Sequence, residues 1–272
     1  ALQHGLPVAA VLRKPISAEQ ASTLLEAVAA HPKVDPPMPV LGAEELNDCL
    51  RSGRVQSRFE PMLDLHTGAP FGCEAHACVL HPRHGEVPEA GFRHAMVQVG
   101  AQRMMTATVL RESAALVRAL RAKQVDARVC VDLAPEMLTE AGDATALDSY
   151  VRTLGIAPDD LVLEIDARGD GASREIAENL ARLKLRGYRL ALDRPAPGAE
   201  STHPAYAHFD ILKLSWPAAQ AAAGPSGEPA PYLAAALGDA SKRGMASCAV
   251  GLRTGADLEQ ARRAGFDLGQ GE

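Results

Sequence analysis

The feature that most constrains this chain is a run of short apolar segments recurring from residue 58 almost to the C-terminus. Segments 58–65, 71–79, 128–134, 161–166, 189–193, 209–215, 246–252 and 266–269 are rich in Val, Leu, Ile and Ala, and they predict eight strands. Helical periodicity fills most of the intervals. Residues 101–122 carry Met104, Met105, Leu110, Leu116, Val117 and Leu120, and residues 171–186 carry Ile176, Leu180, Leu183 and Leu185. Apolar strands alternating with helices bury both faces of a parallel sheet. Eight such units over about 210 residues predict an α/β protein, a (β/α)8 TIM-like barrel. Only His66-Thr67-Gly68-Ala69-Pro70 separates the first two segments, which is too short for a crossover. The first strand is therefore expected to run antiparallel to the second.

The barrel does not account for the first forty residues. Residues 6–12 read as a short buried strand, and Ser17 to about Ala30 as an amphipathic helix opened by a Ser17–Gln20 capping box. One strand and one helix cannot fold alone. They are either an accessory to the barrel or the end of a larger α/β unit. The Lys14-Pro15 pair between them resembles the pair after the last strand of a response-regulator receiver domain. That resemblance implies a receiver-like fragment at 1–30, with the phospho-accepting Asp upstream of this sequence. Residues 31–42 form a linker whose four prolines (Pro32, Pro36, Pro37 and Pro39) favour an extended spacer. A short helix over 43–51 opens the third region, 43–272. Both ends of the sequence read as cut from a longer polypeptide.

Composition removes several function classes. The net charge is -6 and no Lys/Arg run exceeds two, which argues against nucleic acid as the partner. No apolar stretch reaches the roughly 18 residues of a membrane span, and Lys14-Pro15 interrupts the only apolar run near the N-terminus. The cysteines number five, an odd count without a Cys-x-x-Cys pair, as expected of reduced, buried thiols in a cytoplasmic protein. His76, His81, His84 and His94 match no common structural-zinc spacing and read as surface or satisfied histidines.

Polar residues cluster where barrel chemistry is done, at the C-terminal ends of strands. They are Glu74, Asp132, Glu164 with Asp166, Asp193, Lys213 and Gln270. Carboxylates converging there repel one another unless a lysine or a cation neutralises them, and all-oxygen ligands suit Mg²⁺ or Mn²⁺.

The order of these motifs, starting from Glu74-Ala75-His76, resembles the EAL domain, the barrel that hydrolyses cyclic di-GMP. The resemblance covers residues 58–272. It implies metal ligands at Glu74, Asp132 (an Asn in the family), Glu164 and Asp193. It also implies Lys213 as the group that helps activate water, and Gln270-Gly271 as the closing pair that meets the nucleotide.

The departures from the family are as informative. His76 replaces the Leu of the signature, and Cys78 replaces an Arg that binds substrate phosphate. Ala167 replaces a Glu that anchors a mobile loop, and that loop carries Pro195, Pro197 and Pro204. Val250 replaces an active-site Glu. Arg194 replaces the aspartate that holds the second metal, putting a cation where a cation must bind, at a cost of about 4 kcal/mol per close pair. Arg194 as a substitute for that metal, with Lys213 as base, lacks the metal's ability to lower the pKa of water. The expectation is a catalytically inactive EAL-type regulatory domain of a response regulator. It would act on a protein partner, with cyclic di-GMP bound weakly or not at all, and the family resemblance allows a homodimer. No cofactor would be required, although one Mg²⁺ or Mn²⁺ could sit at a single site. The alternatives are an active one-metal phosphodiesterase and a non-hydrolysing cyclic di-GMP receptor.

Overall fold

The computed structural model describes residues 38–166, 174–193, 208–221 and 231–271. The receiver-like fragment at 1–30, most of the linker, Ala167 and Arg194 lie outside these residues. Residues 40–272 form one compact unit. Among the described residues, no helix is long and apolar enough to cross a membrane.

The unit is a closed eight-stranded barrel with helices outside it. Its strands are β1 (Val55–Asp64), β2 (Pro70–His81), β4 (Arg128–Asp132), β5 (Leu161–Asp166), β6 (Arg189–Asp193), β7 (Ile211–Ser215), β8 (Ala246–Leu252) and β9 (Leu268–Gly271). Neighbours from β2 through β9 pair in parallel, whereas β1 is antiparallel to both β2 and β9 and closes the ring. The antiparallel first strand is thus as the short hairpin required. A further strand, β3 (Gly85–Pro88), pairs with the far end of β2 and lies outside the ring. Sequence reading missed it because one buried side chain, Val87, is all that anchors it. The first and last strands are also displaced from expectation. β1 starts three residues before the predicted Arg58, and β9 runs on to Gly271, so Gln270 lies within the strand.

The period of two along each strand separates the two faces. Inward, a lower layer of Met62, Cys130, Val162, Ala191, Ile211, Cys248 and Leu268 fills the barrel. Two residues further towards the C-terminal end stand Asp132, Glu164, Asp193, Lys213 and Gln270, with Val250 the apolar exception on β8. Outward, the same strands bury Val131, Leu163, Leu190 and Leu212 under the helices. Helix Gln102–Ala122 buries Met105, Val109, Leu110, Ala114 and Val117, the i, i+4 stripe of a core-facing helix. All five cysteines are free, and Cys49, Cys78, Cys130 and Cys248 are buried, as expected of structural thiols.

Two glycines permit close strand contacts, one at the start of β4 and one at the mouth. Gly72 on β2 lies so close to β4 that a Cβ would come within 2.2 Å of the Arg128 carbonyl oxygen. At the end of β8 the register slips between Val250 and Leu252, and Gly251 takes φ +87 in that bulge. Val250 pairs with Gln270 just before the slip, which brings Leu252 opposite Gly271.

Candidate metal and ligand site at the barrel mouth

The mouth is built around Lys213. It lies on β7 among apolar neighbours, is fully buried, and donates to Glu74 Oε2 on β2 and to Glu164 Oε2 on β5, the latter at 2.5 Å. Glu74 and Glu164 are themselves 4% and 2% exposed, so neither can be hydrated instead. Gln270 Nε2 approaches from β9 and donates to Glu74 Oε2 at 2.6 Å and to Glu60 Oε2 at 2.5 Å. Asp132 stands next to Glu164 in the β4–β5 register, and Asp193 is paired in register with both Asp166 and Lys213. A cavity of about 560 Å³ opens beside these acids. Asp132, Glu164, Asp166 and Asp193 line its floor, and Ala75, Met105 and Val109 line its apolar wall.

One lysine cannot neutralise this many carboxylates. Burial opposes the charge on Glu74, but Lys213 and His76 overcome it and hold the acid below its ordinary value. Burial dominates at Glu164 and raises it well above the carboxylate range despite Lys213. The shared cation therefore favours an ionised Glu74 beside a protonated Glu164. Burial, with Glu74 as the next cause, pushes Asp132 up to about 7. Burial would lower Lys213, yet Glu164 and Glu74 raise it well above the ordinary lysine value, so it is a cation and not a ready base.

The sequence-predicted residues meet in part. Ligand oxygens of Glu74, Asp132 and Glu164 all lie within 4.8 Å of one another, a hard-oxygen set that fits one Mg²⁺ or Mn²⁺. Such an ion would polarise a phosphoryl oxygen and acidify bound water. Asp193 is buried at the same level but is not in that set. Val250 is partly buried and packs against the inner apolar cluster, between Ser215 and Gln270 in the register. Cys78 is buried at 1% exposure, and burial raises its thiol pKa, so it offers no charge to a phosphate.

Two residues of the mouth were missed by sequence reasoning. Glu60 is the direct cross-strand partner of Glu74 in the β1–β2 register, and His76 follows Glu74 on the same face. His76 Nε2 lies 3.3 Å from Glu60 Oε2, and its Nδ1 lies 3.3 Å from Glu74 Oε1. Burial would lower the imidazole, but the Glu60 hydrogen bond and the Glu74 charge raise it above the usual value. The antiparallel first strand was the available signal, since it turns Glu60 inward opposite Glu74. Asn179 was missed as well. It is fully buried, and its amide donates at 2.8 Å to the carbonyls of Leu138 and Glu140, fixing the loop after β4 that lines the cavity. The other histidines behave as expected. His81 is buried and accepts from the backbone of Arg83 and His84, while His84 and His94 are exposed.

The profile of the EAL domain matches residues 43–272. The chain belongs to the EAL domain family. Solved EAL structures share its fold at low identity. PaMucR phosphodiesterase in a c-di-GMP complex superposes with a TM-score of 0.72 at 20% identity, over 84% of this chain and 93% of that one. The Xanthomonas citri FimX EAL domain in complex with c-di-GMP gives 0.70 at 15% identity, over 84% and 89%. The EAL enzyme Bd1971, in its cAMP- and cyclic-di-GMP-bound form, gives 0.71 at 15% identity over 84% of this EAL domain chain, which spans only 63% of Bd1971. No curated protein sequence matches the chain.

Proposed function

We propose that this EAL domain is a catalytically silent regulatory module of cyclic di-GMP signalling that acts through protein contacts, with the receiver-like segment at 1–30 as its input. The observation that carries the reading is the composition of the mouth. The carboxylates that could together hold a metal come from β2, β4 and β5, while β8 offers only Val250 at the same level. A two-metal mechanism places charge on both the attacking and the leaving oxygen, whereas among the described residues the acids facing the β4–β5 side of the mouth form a single all-carboxylate set, Glu74, Asp132 and Glu164. Arg194 and Cys78 point the same way, since the first opposes a second cation and the second cannot hold a phosphate.

Glu74, Asp132 and Glu164 favour a second reading, an enzyme with one Mg²⁺ or Mn²⁺ and Lys213 at hand. Lys213 argues against it as a base, because its two glutamates keep it protonated. A third reading is a receptor that binds without hydrolysis. Its support is that the three solved EAL structures named above hold c-di-GMP, and calorimetry separates it from the first. Titration of cyclic di-GMP into the protein, with and without Mg²⁺, is expected to give no saturable heat at micromolar nucleotide. A micromolar or tighter isotherm without product would establish the receptor and displace the protein-contact reading.

A further inference from the structure

Glu60, Glu74 and His76 form a second group of metal-competent side chains, distinct from the Asp132–Glu164 side of the mouth. Their ligand atoms lie within 4.8 Å of one another. Strand geometry fixes the group. Glu60 and Glu74 are directly opposed in the antiparallel β1–β2 ladder, and His76 stands two residues beyond Glu74 on the same face. The two oxygens of Glu74 are divided between the two groups. Oε2 is taken by Lys213 and Gln270, whereas Oε1 faces His76 Nδ1 at 3.3 Å. Glu60 Oε2 faces the other ring nitrogen, also at 3.3 Å. A histidine held between two carboxylates needs a proton or a metal to reconcile them.

An independent observation points to a ligand in the same place. Gln270 is 1% exposed, and its amide nitrogen donates to both Glu60 and Glu74. Its Oε1 is a buried acceptor with no hydrogen-bond partner. Leaving a buried acceptor unpaired costs about 1–3 kcal/mol, and with the amide turned over a cation between these carboxylates would take Oε1 in place of the Nε2 donor.

We propose that Glu60, Glu74 and His76, with Gln270 behind them, bind one divalent transition-metal ion at a site of their own. One imidazole nitrogen with carboxylate oxygens is a borderline donor set, suited to Zn²⁺, Co²⁺ or Mn²⁺ rather than Mg²⁺. The site does not depend on whether the domain hydrolyses anything. It rests on residues in which this chain adds an imidazole to the signature, not on those it has lost.

The test is a Co²⁺ titration of chelator-stripped protein, read by visible absorption, with Zn²⁺ competition. The wild type is expected to bind one Co²⁺ that Zn²⁺ displaces, with ligand-field bands showing imidazole coordination. His76→Leu restores the signature residue and so keeps the fold, and it should weaken binding by more than about 100-fold, beyond the roughly 10–100-fold range for loss of an outer-shell partner. Glu60→Gln should weaken it as well. Asp132→Asn should leave both bands and affinity in place. No Co²⁺ or Zn²⁺ binding by the wild type would overturn the proposal. So would binding that His76→Leu leaves intact, or binding that Asp132→Asn abolishes.

Discussion

Replacing Lys213 with Met is expected to cost the fold about 3–5 kcal/mol at about pH 8, the largest single loss available at the mouth. Lys213 is fully buried and shared between Glu74 and Glu164, both nearly inaccessible to water. Met fills a similar volume, so the loss measures charge rather than packing. The pH dependence follows from the same geometry. Without the lysine, Glu74 joins Glu164 in having a folded-state pKa above its unfolded one. The folded state then holds protons that the unfolded state releases, so stability is retained under acid conditions and lost as pH rises through the folded values. Urea denaturation of both proteins should therefore show curves that nearly coincide at about pH 4 and separate by several kcal/mol at about pH 8. An equal deficit at both pH values would mean that Lys213 contributes packing alone.

Asp132→Asn is expected to act in the opposite direction. The carboxyl of Asp132 is raised from 3.8 to about 7, by burial first and then by Glu74. A folded pKa above the unfolded one contributes stability that is fully present below about pH 4 and is lost as pH rises through about 7. At about pH 8 the ionised aspartate is therefore a burden, with a ceiling of about 4 kcal/mol for the full shift. Asn removes the ionisation and keeps the shape. In the presence of chelator, Asp132→Asn should melt above the wild type at about pH 8 and level with it at about pH 4. Mg²⁺ should narrow the gap if Asp132 is a ligand, because the metal stabilises only the form that binds it. A variant less stable than the wild type at pH 8 would show that the carboxylate makes a favourable contact.

Most of the barrel was legible in the sequence because its parallel strands are apolar runs, and those of β2, β4, β5 and β6 are interrupted or ended by an acid. Glu74, Asp132, Glu164 and Asp193 stand out for that reason: a charge interrupts a run of Val, Leu and Ile. Lys213 stands out in the same way, since a lysine inside Ile-Leu-Lys-Leu must be buried with partners. The antiparallel β1 was harder to read. Glu60 lies between an exposed Phe59 and Pro61, and nothing local marks it as inward; only its register with Glu74 does. His76 looked like an incidental change to the signature, but the cross-strand pairing makes it the link between two carboxylates. β3 escaped because four residues with a single anchor carry no period. Asn179 escaped because its partners are carbonyls of a distant loop, which no sequence pattern encodes.

Catalytic silence is the central claim, and it rests on a mouth with acids on one arc and Val250 opposite. The measurement that tests it most directly is hydrolysis of cyclic di-GMP by purified protein with excess Mg²⁺ or Mn²⁺, followed to long times at high enzyme. The account predicts no linear dinucleotide above the level made by Glu74→Ala. Sustained turnover by the wild type that Glu74→Ala abolishes would contradict it.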